Sequence, residues 1–346
     1  MRKFYIGDIE IGEASRPLVI PEIGINHNGD LQVAKEMVFS AKTAGAKIIK
    51  HQTHVVDDEM SSAAKKIKPG NADVSIYEIM KKCALSEEDE YKLMKYVESL
   101  DMVFLSTPFS RAAAERLERF GVTAFKIGSG EMNNFPLLKH VASYGKPMIV
   151  STGMNNLTSI KKAVDILDEF GVDYALMHTT NLYPTKPELV RLGALQQMMR
   201  AFPEVPIGLS DHTLNNNACI AAVALGAVLL ERHFTDTKER SGPDIICSMD
   251  ESELGNLIQA VGEVTDMLGG DKKALIEEQV TIDFAFVSIV AIVPIKKGEL
   301  FTSENIWVKR PGTGELRADD YELTIGKRAA CDIDADVMLE KNMIEG

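Results

Sequence analysis

Eight short apolar runs, each ending in a polar cluster, constrain the fold of this chain more than any other feature. They lie at residues 18–27, 46–54, 103–109, 124–131, 148–154, 174–183, 206–213 and 228–235. Such aliphatic runs are typical of strands buried on both faces of a parallel sheet, and most of the stretches between them are long enough for a helix. The pattern predicts an α/β fold, a (β/α)8 TIM barrel, whose active site lies at the C-terminal strand ends, where the polar clusters fall.

Glycines mark the helix ends of several of these units. The glycines that follow a helical pattern and precede a strand are Gly45, Gly121, Gly171 and Gly226. Glycine suits the left-handed position just past a helix, so each is expected to end one. Lys50, Lys126 and Glu231 each come five residues after such a glycine, which places them at the far end of a strand. The acidic segment 86–90 is interpreted as the solvated start of a helix capped by Ser86.

The strand–helix pattern stops after Gly270, which predicts a catalytic barrel over residues 1–270. Residues 271–283 are polar and are interpreted as a linker. Residues 284–346 contain short β-like pieces between KKGE and RPGTGE turns and predict a small, mostly-β domain. About 60 residues bury little core alone, so this domain should pack on its own barrel or on a partner's. The insertion 57–84 is longer than a usual βα loop and is expected to cover the barrel mouth.

The charge balance limits the possible partners. The chain has 38 Lys+Arg against 51 Asp+Glu, a net charge of -13, which disfavours nucleic acid and anionic membranes. Its longest apolar stretch, 219–230, is shorter than the roughly 20 residues of a membrane span. The four cysteines show no pair or metal spacing, and no signal peptide opens the chain, so a cytoplasmic protein with reduced thiols is expected. An anionic substrate would then need a local cluster of positive groups.

Two lysines and a set of polar side chains predict such a cluster. Lys50 and Lys126 end the second and fourth runs, and a desolvated ammonium group at a barrel mouth favours an anion. Hydroxyl and amide groups follow the third to seventh runs at Thr107, Ser129, Ser151, Asn181 and Ser210. Any single hydroxyl could instead cap the next helix. The whole set beside two lysines favours a phosphate or carboxylate site.

Two histidines are the best candidates for metal ligands. His212 and His233 end the seventh and eighth runs, and neighbouring strands lie about 4.8 Å apart, so both imidazoles could reach one ion. Two histidines with few carboxylates and open positions suit Mn²⁺, Co²⁺, Zn²⁺ or Fe²⁺ more than Ca²⁺. His27, His51 and His54 also lie at strand ends, so a different pairing stays open.

Three carboxylates are expected near the same mouth. Glu22 and Glu131 follow the first and fourth runs, and Asp244 follows the eighth. Each could bind sugar hydroxyls or transfer protons, or could form a salt bridge to Lys50 or Lys126. For Glu22 both roles stay open. For Glu131 a chemical role is favoured, because the preceding Gly-Ser-Gly turn lets the backbone bring it close. Neither a GxGxxG nor a Walker motif is present, which argues against a nucleotide loop.

The motifs resemble bacterial N-acetylneuraminate (sialic acid) synthases from about residue 18 to the end. They are EIGINHNG, KHQTH, DEMS, PGNADVSIYEIM, STPFSRAAA, FKIGSGE, STGM, NLYPT, GLSDHT, ALGA, LERHFTD, SGPDIICSM and VKRPGTG. The resemblance implies a TIM barrel followed by a small antifreeze-like (SAF) domain. It also implies a domain-swapped homodimer in which the small domain closes the partner's active site. The implied activity is a transferase reaction that condenses phosphoenolpyruvate with N-acetylmannosamine and water, giving N-acetylneuraminate and phosphate.

Other activities stay open beside this one. A sister synthase of legionaminic or pseudaminic acid would use a different 2-acetamido hexose. A phosphorylated sugar would need a further basic group, for which the sequence shows no candidate. A carbohydrate-binding or ice-binding protein would leave the polar strand ends unexplained.

The resemblance also assigns roles by matching motif. The residues implied to bind phosphoenolpyruvate are Lys50, Thr107, Lys126, Ser129, Ser151, Asn181 and Ser210. The implied sugar-binding residues are Glu22, Gln52, Tyr183, Asp244, Arg310 and, rather than Phe284, Phe286. Arg310 would reach across the dimer. Glu131 matches the proton-transfer carboxylate, with Glu22 as a second catalytic candidate. His212 and His233 would bind a divalent ion, Mn²⁺ in related enzymes, with Mg²⁺ or Co²⁺ as alternatives.

Overall fold

The fold is described from a computed structural model, in which residues 2–68, 74–242 and 244–345 are described. The chain divides into two compact units, Met1–Gly269 and Gly270–Gly346. Within the described residues, every helix is too short or too polar to cross a lipid bilayer.

The first unit is built on a parallel barrel. Among its described residues, eight strands close in chain order, and the last strand pairs with the first. They are β3 Leu18–Gly24, β4 Ile48–Thr53, β5 Val103–Pro108, β6 Phe125–Ile127, β7 Met148–Ser151, β8 Tyr174–Thr179, β9 Ile207–Asp211 and β10 Leu229–His233. Each strand lies inside one of the eight apolar runs, so the predicted barrel is confirmed.

Helices follow the strands, and the longer ones surround the barrel, several of them in direct contact with its strands. They are α1 Leu31–Thr43, α2 Val56–Glu59, α3 Ile76–Cys83, α4 Glu87–Ser99, α5 Arg111–Phe120, α6 Phe135–Ala142, α7 Leu157–Phe170, α8 Pro187–Val190, α9 Leu192–Ala201, α10 Asn217–Ala224 and α11 Glu251–Met267. Two of the predicted stop glycines, Gly121 and Gly171, cap α5 and α7 with φ angles of 79° and 65°. These helix ends follow from the sequence, because an L side chain is disfavoured in that conformation.

The start of α4 was predicted correctly in position but not in environment. The Ser86 hydroxyl accepts a hydrogen bond from the Asp89 N–H at 3.1 Å, which confirms the cap. Glu90 is not solvated as expected: it is 1% exposed and accepts a hydrogen bond from Arg116 Nη1 at 2.9 Å. The prediction was wrong for Glu90, because it faces the barrel and the acidic segment therefore has one inward side.

An unpredicted hairpin lies under the barrel. Its antiparallel strands are β1 Phe4–Ile6 and β2 Ile9–Ile11. Phe4, Ile6 and Ile11 are buried in one cluster with the inward-facing apolar residues from the lower halves of the barrel strands. Those residues are Leu18, Ile20, Ile48, Leu105, Ala124, Ile149, Ala175, Met177, Val228 and Leu229. The hairpin therefore closes the N-terminal end of the barrel and leaves the C-terminal end for the site.

The insertion after β4 contains α2, a 3-10 turn at Ser62–Lys66 and α3. The Tyr77 hydroxyl donates to Asp57 Oδ1 at 2.7 Å and ties α3 to α2. Residues 69–73, the first part of the PGNADVSIYEIM motif, lie outside the described residues, as does Pro243 of the SGPD motif. That the insertion covers the mouth therefore stays a prediction.

The second unit has its own small core. Its antiparallel strands are β11 Ser288–Ala291 and β12 Ile306–Lys309, and its helices are α12 Gln279–Ala285 and α13 Tyr321–Thr324. The core side chains are Ile289, Ala291, Ile295, Phe301, Ile306, Leu316, Ala329, Ile333 and Leu339. The stretch 271–283, predicted as a linker, is exposed through residue 281 and includes the first turn of α12.

Candidate active site

One pocket at the C-terminal ends of the barrel strands brings most of the predicted site residues together. Its volume is about 170 Å³. The predicted residues that line it are Glu22, Lys50, Gln52, Thr107, Lys126, Ser129, Glu131, Ser151, Asn181, Tyr183, Ser210, His212 and His233. Asp244 joins them from the side, with Oδ2 3.7 Å from His233 Nδ1. Strand periodicity explains this convergence, since many of these residues follow an inward apolar residue by two positions.

Three other described grooves of the barrel unit are larger, at 540, 580 and 670 Å³. Among their described lining residues, the one buried ionisable side chain is His27, in the groove of 540 Å³. The smaller pocket instead collects two lysines, three glutamates and two histidines. Converging ionisable groups, rather than volume, identify it as the candidate active site.

The two predicted lysines are held by buried ion pairs. Lys50 Nζ pairs with Glu22 Oε2, so the salt bridge left open by the sequence does form. Burial raises the pKa of Glu22, with Lys50 opposing that shift, and burial lowers the pKa of Lys50. Lys126 Nζ donates to Glu231 Oε1 at 2.9 Å. In buried pairs of this kind, the desolvation cost offsets much of the attraction between the charges.

Glu231 is the pocket residue whose role the sequence analysis missed. Burial alone would raise the pKa of Glu231, but Lys126 and Lys50 bring it down to about 2. The Ser210 hydroxyl also donates to Glu231 Oε1, at 3.1 Å. Its position five residues after a helix-ending glycine, shared with both lysines, was the signal that could have found it. The Glu231 carboxylate thus lines the pocket and holds Lys126 through their ion pair.

Several buried polar atoms in the pocket lack a partner. Within the described parts of the chain, Thr107 Oγ1, Ser151 Oγ and Glu231 Oε2 make no hydrogen bond. Buried polar groups are nearly always hydrogen-bonded, so unsatisfied groups that line one pocket need an explanation. A polar ligand between them would supply the missing bonds.

Two glycines give other pocket side chains their room. A Cβ atom at Gly128 would clash with Glu131 Oε2, and one at Gly153 would clash with Asn181 Oδ1. The Gly153 N–H donates to Ser129 Oγ at 3.0 Å. Gly128 thus leaves room for Glu131 of its own turn, as expected for the Gly-Ser-Gly sequence, and Gly153 leaves room for Asn181 from the next strand end.

Glu131 differs from the other two pocket glutamates in having no ammonium partner within the described residues. Burial raises its pKa to about 7. A carboxyl group with this pKa exchanges its proton near neutral pH, which suits general acid–base chemistry. The environment therefore agrees with the chemical role favoured for Glu131 from the sequence.

His212 and His233 face one another across the end of the barrel. Their ring centroids lie 5.3 Å apart, and the Tyr183 ring lies 4.1 Å from His212 and 5.7 Å from His233. The Thr180 carbonyl oxygen lies 2.8 Å from His212 Nδ1, so that nitrogen carries the hydrogen and Nε2 keeps its lone pair. Burial lowers the pKa of His212 to about 4 and that of His233 to about 3. Both imidazoles are neutral, the form that binds metals.

The donor set fits an open divalent-ion site rather than a closed one. Across the described ranges of the chain, no three His, Cys, Asp or Glu side chains are arranged to bind a metal ion together. Two neutral imidazoles would leave several coordination positions for water and substrate, as catalytic sites do. Whether an ion binds, and which one, stays a prediction.

The three other strand-end histidines lie in different surroundings. His27 and His51 stack at 5.4 Å between ring centroids, and neither lines the pocket. His54 contacts Glu59 and Gln52. The alternative metal pairing left open by the sequence therefore has less structural support than the pair at the pocket.

Arg310 and Phe286 lie in the second unit. Arg310 Nε donates to the Ala285 carbonyl oxygen at 3.0 Å, and its guanidinium group lies 5.6 Å from the Phe284 ring. The Cβ and backbone of Phe286 lie where a Cβ at Gly312 would stand. A role for Arg310 and Phe286 in sugar binding stays a prediction.

Comparison with known proteins was made on the whole chain. The NeuB family model matches residues 37–273, and the SAF domain model matches residues 286–345. The chain is 37% identical to the N,N'-diacetyllegionaminic acid synthase of Campylobacter jejuni, covering 94% of this chain and 99% of that protein. It is 32% identical to the N-acetylneuraminate-9-phosphate synthase of Homo sapiens, covering 94% and 92%.

A solved structure gives the same fold. The crystal structure of N-acetylneuraminic acid (sialic acid) synthetase from Leptospira borgpetersenii in complex with citrate matches with a TM-score of 0.74 and 28% identity. The match covers 81% of this chain and 95% of that one. Both the barrel and the small β domain therefore have known counterparts.

Proposed function

The chain belongs to the NeuB family of sialic acid synthase-type enzymes and carries a SAF domain, and from this premise we propose that it condenses phosphoenolpyruvate with a 2-acetamido hexose. The products are a nine-carbon sugar acid and phosphate. One observation carries the proposal: Lys50 and Lys126 converge with unpaired hydroxyl groups in a pocket that also holds two neutral imidazoles. An anion, a polarised carbonyl group and a titrating carboxyl group can meet there.

The sugar proposed from the sequence is N-acetylmannosamine, which would give N-acetylneuraminate. The 37% identity to a diacetyllegionaminic acid synthase favours a second candidate, a hexose with two acetamido groups. A phosphorylated sugar, as the name of the human relative implies, is disfavoured. In the described lining of the pocket the only lysines or arginines are Lys50 and Lys126, and both already face carboxylates.

Phosphoenolpyruvate would bind to the hydroxyl groups that have no hydrogen-bond partner among the described residues and to the two lysines that are paired with glutamates. The ammonium groups of Lys50 and Lys126 would direct part of their N–H bonds to the phosphate and carboxylate of the substrate instead of to Glu22 and Glu231. The hydroxyl groups of Thr107 and Ser151 would donate to the same anion. Because the two glutamates stay nearby, they offset part of the positive charge and keep the anion exchangeable.

The reaction would begin with attack by C3 of phosphoenolpyruvate on the aldehyde carbon of the open-chain sugar. The electrons of the C2–C3 double bond form the new carbon–carbon bond, and the aldehyde oxygen takes a proton, for which we propose Glu22, because burial raises its pKa. Water adds to the electron-poor C2 while Glu131 accepts its proton. In the tetrahedral intermediate the bond between C2 and the phosphate oxygen then breaks, the C2 hydroxyl proton passes to the departing phosphate, and a keto group is left at C2.

His212 and His233 would hold a divalent ion, for which we propose Mn²⁺, with Mg²⁺ or Co²⁺ as alternatives. When bound, such an ion supplies Lewis-acid polarisation of a carbonyl oxygen. Tyr183 packs against both imidazoles and fixes their ring planes. From the resemblance we further propose a domain-swapped homodimer in which Arg310 and Phe286 reach the partner's sugar.

A phosphate-release assay tests the proposal. The purified protein is incubated with phosphoenolpyruvate and, in turn, N-acetylmannosamine, its 6-phosphate or a diacetamido hexose, with and without EDTA. We expect release with one unphosphorylated sugar, loss of activity in EDTA and recovery on adding Mn²⁺, with the product identified by mass. Release without any sugar, or with none of them, would contradict the proposed condensation.

A further inference from the structure

His54 is a buried side chain whose two ring nitrogens both face oxygen atoms. Nδ1 lies 2.7 Å from Glu59 Oε2, and Nε2 lies 3.1 Å from Gln52 Oε1. The ring stacks on Phe109 with 4.4 Å between centroids and an interplanar angle of 13°. The residue is 5% exposed. Its ring is therefore fixed in plane and direction, and its partners dictate where its hydrogens lie.

The other end of the Gln52 amide settles which atom faces His54. Gln52 Nε2 donates to Glu22 Oε1 at 2.8 Å, so the amide oxygen points to the His54 ring. A carbonyl oxygen only accepts hydrogen bonds, and therefore His54 Nε2 carries a hydrogen. The Nδ1 side of the ring faces the Glu59 carboxylate. A continuous chain of hydrogen bonds thus runs from Glu59 through His54 and Gln52 to Glu22.

Glu59 is well suited to hold the outer end of this chain. It ends α2 directly after β4, and its side chain is 11% exposed. The other two acids of α2 have different partners: Asp57 accepts from the Tyr77 hydroxyl and Asp58 from the Ala112 N–H. The arrangement is local, since Gln52, His54 and Glu59 come from one eight-residue stretch.

We propose that His54, held by Glu59, is a positioning residue that donates to Gln52 Oε1 and so fixes the direction of the Gln52 amide in the pocket. This inference rests on the proposed function, together with the sugar-binding role that the family resemblance implies for Gln52. With the amide held this way, the pocket presents an N–H group, which selects a hydroxyl or carbonyl oxygen of the sugar. Without His54 the amide loses one of the two contacts that fix its direction, and the Glu22 contact is left to oppose a half rotation that would present the oxygen instead.

Kinetics of three variants test the positioning role. His54→Phe keeps a ring against Phe109 but removes both ring nitrogens, and His54→Gln keeps one donor. His178→Phe is the matched control, because His178 is also buried and loses one hydrogen bond, from Nε2 to the Val190 carbonyl oxygen. We expect His54→Phe to raise KM for the sugar about tenfold, the effect of one misdirected hydrogen bond. KM for phosphoenolpyruvate should stay within about twofold of the parent value, a change no larger than the loss of one weak contact would cause.

The pattern across variants decides between positioning and support of the fold. We expect His54→Gln to recover most of the sugar KM, and His178→Phe to leave the ratio of the two KM values unchanged. Two results would overturn the positioning role. One is an equal rise of both KM values in His54→Phe, and the other is a sugar KM in His54→Gln as high as that in His54→Phe.

A spectroscopic measurement tests the same contact without turnover. In protein labelled with ¹⁵N-histidine, we expect His54 Nε2 to resonate as a protonated nitrogen at neutral pH, and Glu59→Gln to weaken that signal. An unprotonated Nε2 would overturn the inference. If no sugar supports phosphate release but Nε2 carries its hydrogen, then the proposed function fails while the His54–Gln52 contact stands.

Discussion

Along several barrel strands, the inward-facing side chains change from apolar to polar or charged within two residues. In the lower layer stand Ile20, Ile48, Leu105, Ala124 and Ile149, and two residues further along the same strands stand Glu22, Lys50, Thr107, Lys126 and Ser151. The hairpin β1–β2 seals the lower layer, whereas the upper layer opens into the pocket. Two residues of strand span only about 6.6 Å, so the core and the candidate chemistry are separated by the strand period alone.

The two layers are expected to differ in what they contribute. The lower layer removes apolar surface from water and stabilises the fold. The upper layer buries two ion pairs, whose desolvation cost offsets much of their attraction. It therefore contributes little stability, and the lysines are better explained by the ligand. Substitutions in each layer can test this separation.

The largest effect on turnover is expected for Lys126→Met. The change removes an ammonium group proposed to bind phosphoenolpyruvate and leaves Glu231 buried without its main partner. We expect phosphate release to fall by about 1,000-fold, equivalent to about 4 kcal/mol. Unfolding by urea should show a loss of about 3–5 kcal/mol, the usual cost of breaking a buried pair from one side.

The double variant Lys126→Met/Glu231→Leu separates these two losses. Replacing both partners by apolar groups is often neutral for stability, so we expect the free energy of unfolding to return close to that of the parent. Turnover should stay low, because the ammonium group is still missing. Recovery of turnover in the double variant would show that Lys126 matters only for the fold.

The next largest effect is expected for Glu131→Gln. Because burial raises the pKa of Glu131 to about 7, a carboxylate base there would lose activity as the pH falls through 7. We expect the parent kcat/KM to show this acidic limb, and the variant to lose about 100-fold in rate, within the usual range for general base catalysis. The pH–rate profile of the variant should lack the limb. A limb that survives in Glu131→Gln belongs to another group.

Stability gives the same substitution a second readout with a defined sign. A carboxyl group whose pKa is raised on folding stabilises the native state at low pH. This contribution is lost as the pH rises from the pKa of the unfolded state through about 7, because the buried group must then ionise. Glu131→Gln cannot ionise and therefore avoids the cost of burying a carboxylate at high pH. Its Tm should exceed the parent Tm at pH 8, and the difference should shrink at pH 4.

The sequence predicted the barrel well because the signals were local. Each buried strand appears as an aliphatic run, and the positions of Lys50 and Ser151 at the ends of such runs placed them at the mouth. The glycine turn placed Glu131 close to them, whereas its raised pKa became known only from the structure. These inferences needed no knowledge of which strands were neighbours.

Other features depended on contacts between distant parts of the chain. Glu231 could not be paired with Lys126 until the barrel closed, because they are 105 residues apart. Glu90 looked solvated within an acidic run, but Arg116 of the next helix compensates its charge. The hairpin at residues 4–11 was missed because its strands are only three residues long. Short strands and distant ion pairs leave little trace in a sequence.

A smaller effect on turnover is expected for Ser151→Ala in the upper layer. The hydroxyl has no hydrogen-bond partner within the described residues, so its removal leaves no other protein group unsatisfied. We expect KM for phosphoenolpyruvate to rise about tenfold, the loss of one charge-assisted hydrogen bond. The free energy of unfolding should not fall measurably. A large loss of stability would show that Ser151 serves the fold rather than the ligand.

The smallest effect on turnover is expected two residues earlier, for Ile149→Ala. Ile149 is fully buried in the cluster beneath the pocket, so truncation should cost about 2–5 kcal/mol of unfolding free energy by leaving a cavity. Both KM values should stay within about twofold at a temperature where the variant is folded, because Ile149 is not among the described residues that line the pocket. Urea unfolding and phosphate release measure the two quantities. If Ile149→Ala also weakened phosphoenolpyruvate binding as much as Ser151→Ala, the pocket would depend on packing below it, and the two layers would have to be treated as one cooperative structure.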